Sequence, residues 1–287
     1  DLPALRDDDD DPGFYAAANG YLSGFRGGVL YQSLDDTDYT SLLSMNAKAT
    51  IGYVDGVLGD FAGGNVVDET HIVSVVLYSG TLSSVTRAQL LSGQNVALLG
   101  DEVLSFQRAV LTAPNTYSLS GLLRGRRGTE QHMGSHADEE RFVLLNAATV
   151  YRVPQSLIQV GEAFYKPVTY GQAVDATTAQ EFTNTAAALW PLSPVHLNAN
   201  PDGLGDYDVQ WVRRTRIGGA WSDGIDAPLS EATEQYRVRV ISSGSVIETQ
   251  TVSTPSATVT ASPGDVVEVA QVSASIGAGF TATITLT

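Results

Sequence analysis

Between Tyr117 and Glu130 the chain reads YSLSGLLRGRRGTE, and this run constrains the fold more than any other. Its first half alternates, with Tyr117 and Leu119 on one face of a period-two pattern, as in a half-buried strand. Its second half interleaves arginine with glycine. Gly121, Gly125 and Gly128 supply backbone freedom where the chain must turn sharply, because a residue without Cβ enters left-handed conformations at little cost. Arg124, Arg126 and Arg127 are expected to project from a tight connection. The run reads as a structural signature, not an active site.

Strand signals dominate elsewhere. In HIVSVVLYSG, Val73, Val75 and Leu77 form one face and Ile72, Val76 and Tyr78 the other, as in a strand covered on both sides; Gly80 ends it. SSVTRAQLLSG offers Ser83 or Ser84 as an N-cap and Gly93 as a stop, so Val85 to Leu91 is the best helix candidate. VALL and VLSFQRAV then resume the strand pattern, punctuated by Asn95 and Gly100-Asp101. RFVLLN, ATVYRVP and FYKPVTYG repeat short apolar stretches between turn residues, a spacing that suggests a sandwich or barrel-like body.

The segment WPLSP, Trp190 to Pro194, can propagate neither a helix nor a central strand and marks a boundary. Beyond it Val209 and Trp211 alternate with Gln210 and Val212, Tyr236, Val238 and Val240 with arginines, and Ala282, Ile284 and Leu286 with threonines. That is the size and pattern of a fibronectin-like sandwich with Trp211 and Tyr236 as its large core residues. The expected fold class is mainly β: sandwich or barrel-like domains with at most one or two short helices, followed by a fibronectin type III-like β-sandwich. The expected domains are 1–190, opening on an acidic linker over 1–12 in which Asp7 to Asp11 are solvated, and 191–287.

Several blocks together resemble the tail-tip and baseplate hub proteins of long-tailed phages and gene transfer agents. The Tyr117–Glu130 run, the His/acid segment after it and RFVLLN form one block. PGFYAAANG (Pro12 to Gly20) and FRGGVLYQS (Phe25 to Ser33) resemble that family's opening, and Ser79 to Ala109 its pattern upstream of the Arg/Gly run. Trp211 to Val240 resembles the fibronectin-type module that follows the hub domains. The resemblance implies a structural signature at Leu123, Arg124, Gly125, Arg126, Arg127, Gly128, Thr129, Trp211, Arg214, Trp221 and Tyr236, and no catalytic, cofactor or metal residue. It also implies other tail-tip and baseplate proteins as partners and a homotrimer in the intact virion. Family members are usually longer, with amino-terminal hub domains, so the chain is expected to be a carboxy-terminal or processed portion.

Composition bounds the alternatives. At about 150 residues per domain, 287 residues suggest two domains, large enough to bury a core without staples. With no cysteine there is no disulfide, thiolate metal site or cysteine nucleophile. A net charge of −16 repels phosphate backbones and anionic membrane surfaces, so nucleic acid is not an expected partner. Of 16 basic residues only Lys48 and Lys166 are lysines, which favours fixed, forked pairing by guanidinium. No charged-then-apolar leader opens the chain, and no apolar run approaches the roughly 20 residues of a membrane helix, so no membrane insertion is expected and any exit from the cell would be inside a particle or by lysis.

Each chemical candidate has a plainer competitor. Arg124, Arg126 and Arg127 could clamp an anionic glycan or phosphate, but in so acidic a chain pairing with carboxylates and carbonyls is the stronger reading, and the same holds for Arg213, Arg214 and Arg216. His132 and His136 lie four apart, within reach of Glu130, Asp138 and Glu139, yet Gly134 and Ser135 argue against a helical metal site and for an exposed loop. The acidic stretches from Asp7 and from Pro201 could hold calcium, but neither matches an EF-hand loop, and both read as solvated surface. There is no G-x-S-x-G elbow, and the histidines (His71, His132, His136, His196) have no recognisable serine partner motif.

Three functions compete. The leading one is a non-enzymatic structural component of a phage or gene-transfer-agent tail tip, the distal part of the hub or central fibre protein. It would be assembled in the bacterial cytoplasm, would contribute to tail assembly and host attachment, and would have a host-surface glycan or protein receptor as a candidate contact. The second is a secreted or surface carbohydrate-binding or adhesin module, and the third a cell-envelope-degrading enzyme.

Overall fold

The computed structural model describes residues 1–20, 24–219 and 224–287. It divides into two compact units: Asp1–Leu2 with Pro12–Thr185, and Pro3–Asp11 with Ala186–Thr287. In the first lie β1 (Phe14–Ala17), β2 (Gly28–Ser33), β3 (Thr40–Met45), β4 (Ile51–Asp55), β5 (Asp68–Leu77), α1 (Arg87–Leu91), β6 (Val96–Leu99), β7 (Glu102–Ala113), β8 (Thr116–Arg126), β9 (Arg141–Leu144), β10 (Val150–Val153), β11 (Gly161–Thr169) and β12 (Gln180–Asn184). In the second lie β13 (Val195–Pro201), β14 (Asp206–Val212), β15 (Tyr236–Ser242), β16 (Ser245–Val252), β17 (Ser256–Thr260), β18 (Val266–Ser273) and β19 (Gly277–Thr285). The chain is mainly β, as expected, and every strand pairing is antiparallel.

A closed barrel, β4-β5-β8-β7-β6-β9, forms the centre of the first unit, with β9 pairing back onto β4. Closure leaves the sheet without an edge strand, which removes the usual template for unwanted pairing. One face of each strand fills the interior: Val54, Val73, Val75, Leu77, Leu99, Leu104, Phe106, Leu119, Leu122 and Phe142 make one continuous core. So small a barrel is packed by its own side chains and holds no channel. Gly52 makes the β4–β5 approach possible, since a Cβ there would lie 2.1 Å from the Val76 carbonyl oxygen.

Three expectations change here. HIVSVVLYSG is covered on one face only, because the barrel has one inside; Ile72 and Tyr78 are exposed. The helix starts later than Val85, whose N–H is held by the Gln107 carbonyl in strand-like fashion. Its cap is Thr86, which exchanges hydrogen bonds with Gln89 in a capping box, so Ser83 and Ser84 play no such part. Beside the barrel, β12-β11-β2-β3 form a sheet and β1 pairs with β10, and Phe14, Leu30, Met45, Val153, Ala163 and Tyr165 pack between them. Pro167 sits within β11 beyond the stretch that pairs with β12, where β11 pairs with β2 alone.

In the second unit β13-β14-β17 face β16-β15-β18-β19, a three-on-four fibronectin type III-like sandwich. Trp211 packs edge-on against Tyr236, ring centroids 5.2 Å apart, among Val209, Val238, Val240, Val267 and Val269. The acidic opening is not a wholly solvated linker: Asp9 is buried, its carboxylate accepting the Arg6 N–H, and Asp10 pairs with Arg216 of the same unit at 2.6 Å.

Truncating Phe142, fully buried in the barrel, to alanine is expected to cost about 3–5 kcal/mol. Urea unfolding followed by far-ultraviolet circular dichroism measures it, because tryptophan emission reports only positions 190, 211 and 221; a loss under about 1 kcal/mol would contradict this packing.

Candidate functional site

The antiparallel order brings the start of β5, the start of β7 and the end of β8 to one end of the barrel, and each delivers a charge to its interior. Asp68, Glu102 and Arg124 have side chains with 0% exposure. Arg124 Nε donates to both Glu102 carboxylate oxygens at 2.9 and 3.1 Å, and its Nη2 donates to Oε2 at 2.9 Å. Nη1 donates to the Gly59 carbonyl at 3.0 Å and Nη2 to the Met133 carbonyl at 3.2 Å. Nη1 also lies 3.6 Å from Asp68 Oδ2. The guanidinium thus ties two loops, 56–67 and 127–140, to the barrel from inside.

Glu102 is fully engaged. Besides Arg124 it accepts the Gly125 N–H at 2.6 Å and faces His136 Nε2 at 2.6 Å. Burial pushes its carboxyl up, but the hydrogen bonds from His136 and Arg124 and the Arg124 charge outweigh that and hold it below the ordinary carboxylate range. Gly125 has φ +56°, and a Cβ there would stand 2.9 Å from Glu130 Cγ, so only glycine presents this N–H without strain. Asp68 accepts from the Thr70 N–H and hydroxyl and from the His71 N–H, which fixes the bulge where β5 slips by two residues against β8. Its carboxyl is likewise pushed up by burial and brought lower overall by those bonds.

His136 sits between two carboxylates, Nε2 facing Glu102 and Nδ1 facing Glu140 at 2.6 Å. Burial disfavours its charged form, yet the bonds to Glu102 and Glu140 and their charges raise its pKa above the ordinary 6.5. Thr129 closes the turn after β8: its Oγ1 accepts the Val103 N–H at 3.0 Å and donates to the Arg126 carbonyl at 2.7 Å.

The structure therefore brings together Arg124, Gly125 and Thr129 from the signature run. Leu123 is buried beside them, Arg126 bonds Asn65 at 2.7 Å, and Arg127 and Gly128, both at positive φ, form the turn. Arg124 does not project from a turn, because β8 continues to Arg126 and directs that side chain inward. The loop is exposed at Gly134–Ser135 and Ala137–Glu139, as expected, but the His136 side chain turns inward and is only 2% exposed. Trp211 and Tyr236 lie in the sandwich core of the second unit, Arg214 is half-buried just past β14, and Trp221 lies outside the described residues. Arg213 also follows the strand; it pairs with Asp226 at 3.0 Å and Glu234 at 3.2 Å, while Arg216 pairs with Glu231 at 3.1 Å. In the Pro201 stretch Asp202 accepts two backbone N–H groups.

Glu102, Asp68 and Glu140 were not singled out from sequence. Glu102 had a signal, since it shares the inward parity of Leu104 and Phe106; Asp68 had none, because a bulge separates it from Val73. Among the described residues no group of three or more His, Cys, Asp or Glu is placed to hold a metal ion.

Fold and site together define a β-barrel with a buried, fully bonded charge cluster, in a chain that also carries a fibronectin type III-like sandwich. Residues 49–143 match the model of the family described as "Rcc01698-like, C-terminal", a range that coincides with the barrel to within two residues at either end. Among solved structures, one titled "Biofilm associated protein - BSP domain" is similar at 12% identity and a TM-score of 0.20, over 83% of this chain; the chain spans only 29% of that structure's length. No curated protein matches the chain.

Replacing Arg124 by methionine leaves Glu102 buried without its guanidinium and is expected to cost about 3–5 kcal/mol in urea unfolding; a change of under about 1 kcal/mol would show that the pair is not what holds this end. Glu102 contributes to the acid limb, as Asp68 does. Its folded pKa is depressed, so its contribution is present above the ordinary value of 4.5 and lost as pH falls through the folded value. Stability should drop below pH 4.5 and Glu102→Gln should flatten that drop, as thermal melts across the acid range would reveal.

Proposed function

We propose that this chain is a non-enzymatic structural part of the tail tip of a phage or gene transfer agent, the distal portion of a hub or central-fibre protein. One observation carries the reading: the stretch matched by the Rcc01698-like family model is the barrel, and the Arg/Gly signature that resembles tail-tip proteins forms that barrel's charged end. The motif thus has a mechanical role suited to a scaffold. It spends its one buried guanidinium on internal carboxylate and carbonyls, leaving Arg124 with no donor directed at an outside anion.

In this role function follows from shape and surface complementarity. A barrel without edges and a two-sheet sandwich present rigid surfaces from which loops make contacts. Other tail-tip and baseplate proteins are the partners, the intact protein is a homotrimer, and a host-surface glycan or protein is its receptor. The chain uses no cofactor, and it acts in the virion after assembly in the bacterial cytoplasm.

Immunogold electron microscopy with an antibody against this chain tests the proposal on particles from a lysate of the source culture. Label confined to the tail tip is expected. Unlabelled particles, with antigen free in solution or on cell surfaces, would overturn it.

A further inference from the structure

A neutral imidazole has one N–H and one lone pair, whereas both ring nitrogens of His136 lie 2.6 Å from carboxylate oxygens. Only the imidazolium can donate to Glu102 and Glu140 at once. Glu102 belongs to β7 and Glu140 ends the 127–140 loop, so the charged ring bridges the loop to the barrel wall.

We propose that His136 is a pH-operated latch: as imidazolium it pins the 127–140 loop across the charged end of the barrel, and on losing its proton it releases that loop. The charges around the ring favour this. From β8 comes Arg124, bound to the same Glu102; from β5 come Asp68, 3.6 Å from Arg124, and His71, bonded to Asp68 at 2.8 Å. From the 56–67 loop comes Asp60, beside Gly134, and from the latched loop itself come Glu140 and Asp138, the latter accepting the Gly56 N–H at 2.7 Å. With His136 charged, two cations (Arg124, His136) meet the three buried or nearly buried carboxylates Asp68, Glu102 and Glu140; with it neutral, one cation meets three. Deprotonation removes a donor and widens the carboxylate excess from one to two inside a low-dielectric site.

The far attachments of the loop do not titrate with it. Glu139 and Glu140 remain paired through their backbone with Val54, and Thr129 holds the other end. The stretch between, Glu130 to Ala137, is what swings free, and it takes the Met133 carbonyl away from Arg124. The result is a barrel end closed in mildly acidic surroundings and open in alkaline ones.

The closed form has the higher His136 pKa, so its advantage is complete below 6.5, the ordinary value, and is lost as pH rises through the closed-form value. Between those two values each opening event releases one proton, and the opening constant rises about tenfold per pH unit. Hydrogen exchange on the whole chain from about pH 6 to about pH 9, corrected for the intrinsic pH dependence of exchange, reads this in peptides covering 130–137. Rising exchange there, with steady exchange in β7 and β8, is expected. His136→Gln should leave the loop open and insensitive to pH. Should that variant not fold, an NMR titration of the His136 ring in the wild type and in Glu140→Gln decides: a pKa above 6.5 that falls in the variant, with loop release moving by the same amount, is expected. A ring that titrates at or below 6.5, or loop exchange unchanged while the ring titrates, would overturn the latch.

Discussion

Arg124 and Glu102 meet where β7 begins and β8 ends, away from water, and the arrangement of that end of the barrel hangs on them. Removing two charges from water costs several kcal/mol per ion, and mutual attraction compensates only when the remaining donors and acceptors are also used. Here they are: the guanidinium reaches the Gly59 and Met133 carbonyls, and the carboxylate takes the Gly125 N–H and faces His136. A hydrophobic pair of equal volume could match the stability. It could not gather two strands and two loops at one point, and that geometry is what the pair supplies.

Much of the fold is written in period-two alternation. Val73, Val75 and Leu77, or Tyr236, Val238 and Val240, announce their buried faces directly. The site is written less openly because bulges break the count. On β8 the inward set passes from Tyr117 and Leu119 to Leu122 across Gly121 at φ +66°, and β7 makes the matching switch between Phe106 and Ala109, so register is preserved while parity is not. A reader counting by two places Arg124 on the wrong face. The histidine pair misleads for another reason: spacing of four suggests a helix or an idle loop, whereas His136 is held by Glu102, distant in sequence, which no local pattern encodes.

The chain's acidity also looks different in three dimensions. Three arginines act as internal fasteners: Arg124 in the barrel, and Arg213 and Arg216 in the sandwich unit, the last held by Glu231 and Asp10. Guanidinium suits the task because its planar fork meets a carboxylate and a carbonyl together, which an ammonium group does less rigidly. Among the described residues the buried charged groups are mostly carboxylates, Asp9, Asp68, Glu102 and Asp265 against the single guanidinium of Arg124, so folding hides more of the chain's negative charge than of its positive charge.

The segment Pro3–Asp11 belongs with Ala186–Thr287, although 12–185 lies between them in the sequence. Where the first unit opens and closes, the Asn184 side chain donates to the Pro12 carbonyl at 2.6 Å, so the chain enters and leaves that unit at neighbouring points. In topological terms the first unit is an insertion in the second. A ribosome delivers residues 3–11 long before the strands grouped with them, and the sandwich unit is completed only when residues 186–287 have emerged. The barrel-bearing unit, contiguous apart from Asp1–Leu2, can fold first and bring the short and the long segment of the second unit close together in the chain. It thereby reduces the entropic cost of joining them from that of a long loop to that of a short one.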